Sequence, residues 1–156
     1  MNKEITRLKN IRIYLLDLVK DLSTEQLNEI PEGFNNNIIW NLAHLLATQQ
    51  GICYIRAGIK TYVDEKYFLT YKPNTIPEQL IDTANVEAIK QLFVSAIDRF
   101  EIDYENKLFS NYGSWMAKPY GVEVINIDEA IKFLLFHEGL HAGYIMAMKR
   151  LLKNKR

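Results

Sequence analysis

The stretch NIDEAIKFLLFHEGLHAGYIMAMKRLL, residues 126–152, decides the fold. Ile127, Ile131, Leu134, His137, His141, Ile145, Met148 and Leu152 recur every three or four positions. That is the period of a helix with one buried face. Asn126 followed by Glu129 fits a capping box and predicts the start of the helix.

Working toward the N-terminus, residues 105–125 break the pattern. They hold Phe109, Tyr112, Trp115 and Tyr120 with Gly113, Pro119 and Gly121, and Val122, Val124 and Ile125 read as a short extended piece. Helical spacing returns at Val86, Ile89, Leu92, Phe93, Ala96, Ile97 and Phe100. Residues 60–82, with Pro73 and Pro77 and little periodicity, read as a long connection. The apolar-rich run from Ile38 to Ile59 predicts another long helix, capped among Asn35, Asn36 and Asn37 and closed at Gly58, with Gly51 pointing to close packing inside it. The first helix carries Ile5, Leu8, Ile11, Leu15, Leu18, Val19 and Leu22. Ser23 and Gln26 form a second capping box before a short helix through Leu27 and Ile30 that Pro31 and Gly33 end. Four long amphipathic helices with almost no strand predict an all-α four-helix bundle, one domain over residues 1–156.

The composition narrows the function. Lysine plus arginine and aspartate plus glutamate both number 19, so the formal charge is zero, which argues against general nucleic-acid binding. One cysteine, Cys53, allows no internal disulfide and no four-cysteine zinc site; inside a helix it reads as a small core hydrophobe. No signal-peptide stretch opens Met1–Asn10 and no long apolar run could cross a membrane, so the expected compartment is the cytoplasm. Lys149, Arg150, Lys153, Lys155 and Arg156 read as cations complementing a helix end rather than as a site for an anionic partner.

The three histidines are His44, mid-way along the second long helix, and His137 and His141 in the last. Four residues turn a helix by about 400°, so His137 and His141 share a face, and that face is the apolar seam. His44 lies among Trp40, Ala43, Ala47 and Gly51. Three imidazoles aimed at one bundle core call for a common explanation, and a divalent metal is the simplest. The alternative is three core histidines, each bonded to a neighbour.

Two other metal readings fit the sequence less well. His137-Glu138-Gly-Leu-His141 matches the H-E-x-x-H protease signature, but the 15 residues after His141 hold no Asp, Glu or His. A di-iron site needs two Glu-x-x-His pairs, and Glu138 with His141 is the only one.

Asn36-Asn37-Ile-Ile-Trp40-Asn41-Leu-Ala-His44, Phe136-His137-Glu-Gly-Leu-His141-Ala-Gly143-Tyr-Ile and the Tyr120-Gly121 pair together resemble the DinB-like (DinB/YfiT) metal-binding bundles. The resemblance in helix order covers nearly the whole chain. It implies an up-up-down-down bundle with a long crossover, a homodimer, and His44, His137 and His141 as ligands of zinc or nickel, with water completing the site. It also implies a small-molecule substrate, since characterised relatives include thiol S-transferases that use a low-molecular-weight thiol, and a thiol-dependent isomerase.

Three protein ligands leave a coordination position open, as in catalytic sites. One expected function is therefore an enzyme, a transferase or hydrolase, that activates a thiol or water against a small electrophile. The other is a non-catalytic metal- or small-ligand-binding bundle of the stress-protein kind. Asn41 and Thr48, about one turn either side of His44, are candidates to orient the bound group, or are ordinary polar residues of a helix. Glu138 is a weaker candidate base, pointing about 100° away from His137. Tyr112, Trp115 and Tyr120 either line a pocket mouth or cover the end of the bundle.

Overall fold

A computed structural model describes residues 2–153. Four long helices dominate: α1 (Lys3–Val19), α3 (Ile38–Gln49), α5 (Thr83–Glu105) and α6 (Ile127–Lys153). Two short helices, α2 (Thr24–Asn28) and α4 (Glu65–Tyr71), lie in the connections, and β1 (Trp115–Ala117) pairs antiparallel with β2 (Val122–Val124). The all-α bundle read from the sequence is the observed architecture. Among the described residues no helix is long and apolar enough to cross a membrane.

The helix ends follow local chemistry. Ser23 and Gln26 form the reciprocal capping box of α2, and the Asn37 side chain accepts from the Trp40 amide at 2.9 Å to start α3. All of α3 is buried, which makes it the central helix. It runs on through a π-helical stretch, Gln50–Tyr54, and a 3-10 turn, Ile55–Ala57, to Gly58. Gly58 has φ +69°, a conformation that disfavours any side chain with a Cβ. Gly51 packs as its sequence position foretold: a Cβ there would sit 3.0 Å from the Phe68 ring of α4.

Contacts between helices fix their directions. Arg12 meets Glu138, and farther along both helices Asp21 meets Lys149, so α1 and α6 are parallel. Lys9 pairs with Asp98 while Arg12 reaches the Phe93 carbonyl, so α5 runs opposite to α1. Gln49 bonds the Ala96 carbonyl and Tyr54 bonds Asp103, so α3 and α5 are parallel. In chain order the long helices run up, down, down, up, which corrects the up-up-down-down order implied by the family resemblance. The long crossover stands. Parallel α3 and α5 need a return path along a helix about 35 Å long, and residues 59–82 supply it.

The interior has a polar waist. One apolar cluster gathers Leu15, Val19, Leu42, Leu46, Phe93, Ile145 and Met148; the other gathers Ile5, Leu8, Ile97, Phe100, Ile131 and Leu134. Between them Arg12 is fully buried. Its Nε and Nη2 grip Glu138 Oε1 at 2.8 and 2.7 Å. Its remaining N–H groups donate to Gln49 Oε1, the Phe93 carbonyl and the Leu45 carbonyl. One guanidinium thus bonds to all three other long helices. At the chain end Lys149 bonds the Leu18 carbonyl, and both Lys149 and Lys153 pair with Asp21; Lys155 and Arg156 lie outside the described residues.

Removing one partner of a buried ion pair strands the other charge, at a cost of about 3–5 kcal/mol. Arg12→Ala is expected to lose about that much in urea unfolding, and the paired Arg12→Met, Glu138→Leu variant to recover most of it. A loss below about 1 kcal/mol for Arg12→Ala would contradict the assigned role of the waist.

Candidate metal centre

α3 and α6 are antiparallel neighbours, with Asn41 beside His141 and Met148. This pairing brings His44 of α3 against His137 and His141 of α6. The ring centroids lie 5.3 Å (His44–His137), 4.8 Å (His44–His141) and 4.5 Å (His137–His141) apart. One nitrogen from each ring lies within 4.8 Å of the other two, against roughly 3.3 Å for nitrogens sharing a tetrahedral zinc. The group is assembled and slightly expanded. It faces the floor of a cleft of about 1680 Å³ rather than a closed core. His44 is buried, whereas His137 and His141 are partly exposed.

Hydrogen bonds assign two of the tautomers. His44 Nδ1 lies 2.7 Å from the Tyr71 carbonyl, which can only accept, so Nδ1 carries the proton and Nε2 the lone pair. His141 Nδ1 lies 2.7 Å from Asn41 Oδ1. The Asn41 amide nitrogen donates to the Asn37 carbonyl at 2.7 Å and to Asn36 Oδ1 at 3.1 Å, which fixes the orientation of the carboxamide. His141 therefore also protonates Nδ1 and frees Nε2. Trp40 stacks on His44 at 4.7 Å with planes 8° apart. His137 differs: its Nδ1 is buried and has no hydrogen-bond partner.

Burial, the close neighbouring rings and, for His137, the Arg12 charge all disfavour an imidazolium here. Burial first, then the other two imidazoles, pushes His137 down to about 3. Burial, with His44 beside it, pushes His141 down to about 4. Burial also lowers His44, partly offset by its bond to the Tyr71 carbonyl. A divalent cation requires neutral imidazoles. The donor set fits such an ion: three neutral rings, two whose Nδ1–H bonds leave the lone pair on Nε2, which on His44 accepts from the Thr48 hydroxyl, and one with an orphaned buried nitrogen.

The other residues singled out in the sequence divide clearly. Thr48 Oγ1 lies 3.3 Å from His44 Nε2 and lines the cleft, as does Asn41. Glu138 does not line it; the carboxylate points into the waist, where burial raises its pKa and Arg12 opposes the rise. Trp115 and Tyr120 line the cleft, whereas Tyr112 holds the Ile52 carbonyl and the Trp115 indole N–H. Cys53 is fully buried, and burial raises its thiol pKa.

Sequence reasoning missed the Tyr71 carbonyl, a backbone group on a helix not predicted, and Arg12. The signal for Arg12 was its spacing: Ile5, Leu8, Arg12, Leu15 and Val19 form the buried stripe of α1.

Residues 7–145 match the family model of the DinB superfamily, a span that takes in all three histidines. No curated protein matches the chain.

The lowered pKa values carry a sign. Between the folded values and the unfolded value near 6.5, the unfolded chain binds more protons, so acid favours unfolding. Metal-free protein is expected to lose stability as pH falls from about 6.5 toward 3. The His137 and His141 ring signals in an NMR titration should stay neutral at pH 6. Titration of both near 6.5 would contradict the assigned environment.

Proposed function

The chain belongs to the DinB superfamily, and we propose that it is a metal-dependent enzyme whose His44, His137 and His141 hold one divalent cation, zinc or nickel, at the floor of the cleft. The observation that carries the reading is the three-imidazole group facing open space, with no carboxylate or thiol among the described residues of the cleft lining to complete a closed site. When bound, such an ion lowers the pKa of a thiol or water and supplies a nucleophile near neutral pH. The reaction proposed is attack by a low-molecular-weight thiol, or by water, on a small electrophile.

The chain's own groups have separate tasks in this reading. Asn41 and the Tyr71 carbonyl hold two rings in the ligating tautomer. Trp40 fixes the plane of His44 by stacking. The Thr48 hydroxyl, beside His44 Nε2, offers a hydrogen bond to whatever group enters there. Trp115, Phe133 and Tyr120 give an apolar wall against which an electrophile can lie; their rings meet at 5.4 Å (Trp115–Phe133) and 6.0 Å (Tyr120–Phe133). Glu138, held by Arg12, is not the base.

Protein purified without chelator should carry about one divalent ion per chain by elemental analysis, and His141→Ala should carry far less. Asn41→Ala should keep the ligands but weaken metal affinity about 10- to 100-fold. A screen of electrophiles with several thiols should find activity in the loaded protein that His141→Ala lacks. Activity persisting in a metal-free variant would overturn the enzyme mechanism. Full metal content with no activity across the screen would favour a metal- or ligand-binding role instead.

A further inference from the structure

The charge around the cleft is uneven. The chain has 19 acidic residues, yet among the described residues none lines the cleft. Two cations do, Arg56 and Lys118, and among the described residues neither sits in an ion pair. Elsewhere Lys9, Lys20, Lys90, Arg99 and Lys149 each have an acid in contact, and what sets the cleft apart is that no acid stands among its described lining residues.

Arg56 and Lys118 both line the cleft, and both are tied to β1. The Arg56 guanidinium lies 5.3 Å over the Trp115 ring of β1, and Lys118 directly follows β1. Stacking uses the guanidinium face and leaves its N–H edge free for an oxygen acceptor. From there aromatic contacts lead to the histidines: Trp115 to Phe133 at 5.4 Å, and Phe133 stacked on His137 at 6.5 Å. A cleft lined by one sign of charge concentrates ligands of the other, and the aromatic path suits a flat apolar body between two polar ends.

We infer that the cleft takes a small organic carboxylate with a flat apolar body, its carboxylate bound by Arg56 and Lys118 and its other end at the three histidines. The inference rests on the reading of the cleft as a substrate site, and it assigns that substrate its charge.

Both tryptophans of the chain, Trp40 and Trp115, line the cleft, so intrinsic fluorescence reports occupancy. The probe is phenylsuccinate compared with its uncharged diamide, at fixed ionic strength. Each is titrated into protein loaded with zinc and into protein stripped over a chelating resin. The diacid should bind about five- to tenfold more tightly than the diamide in both preparations, the scale of two rim ion pairs. The double substitution Arg56→Gln, Lys118→Gln should abolish that preference in the stripped protein, where no ion can hold a carboxylate. Equal binding of diacid and diamide would overturn the inference, as would a preference in stripped protein that survives the double substitution. A preference found only in the zinc-loaded protein would also overturn it, because the ion would then hold the carboxylate; the metal reading would remain. A preference in protein that takes up no metal would uphold the carboxylate site and overturn the metal reading instead.

Discussion

A single guanidinium sealed inside the bundle sets the register on which the rest depends. Arg12 leaves α1 and bonds to Glu138 of α6, to Gln49 and the Leu45 carbonyl of α3, and to the Phe93 carbonyl of α5. Apolar packing above and below tolerates small slips, because leucines and isoleucines can exchange neighbours at modest cost. A buried charge tolerates none, because each lost hydrogen bond leaves a desolvated donor. Glu138 is adjacent in sequence to His137 and lies about 100° around the helix from it. Clamping Glu138 inward therefore holds His137, and His141 one turn on, toward α3. The same clamp engages Leu45 and Gln49, which flank Thr48 and follow His44.

Much of this was legible before the structure. The capping pair Ser23 and Gln26, a cap within the triple asparagine 35–37 (Asn37 in the structure), the Gly58 terminus and the close approach at Gly51 all follow from residue chemistry at a fixed spacing, and the structure reproduces each. The convergence of His44, His137 and His141 was legible because each replaces an apolar residue on a helical seam. What escaped had no periodic signature. α4 has seven residues and buries none of them fully; its half-buried Tyr67, Phe68 and Tyr71 span little more than one turn, too short to show a period, and its clearest local mark is the Asp64 cap. β1 is three residues long and has meaning only through its pairing with β2. The Asn126 box is also looser than its pattern, since Glu129 reaches back to the Ile125 amide, not to that of Asn126. The up-down-down-up order escaped because direction resides in contacts between distant residues, such as Asp21 with Lys149.

The crossover does more than return the chain. Phe68 of α4 packs over Gly51 of the central helix, and three residues later the Tyr71 carbonyl accepts the His44 proton. A segment that looks like linker in the sequence thus sets the tautomer of a candidate ligand. The polar waist links both sides of α3: toward the centre it neutralises Arg12, and toward the cleft it presents imidazoles held neutral by burial. A neutral chain can in this way leave no acid among the described residues of a cleft, so that positive charge there comes from two rim cations and from any ion the histidines hold.

In the proposed function these three imidazoles form one coordination site. X-ray absorption spectroscopy of zinc-loaded protein tests it most directly, because imidazole ligands leave a distinctive outer-shell scattering pattern. Coordination by His44, His137 and His141 gives about three imidazole nitrogens on the ion at about 2.0–2.1 Å, one fewer in His137→Ala, and no sulfur. An ion with no imidazole scattering, or one whose ligands are unchanged by His137→Ala, would contradict it.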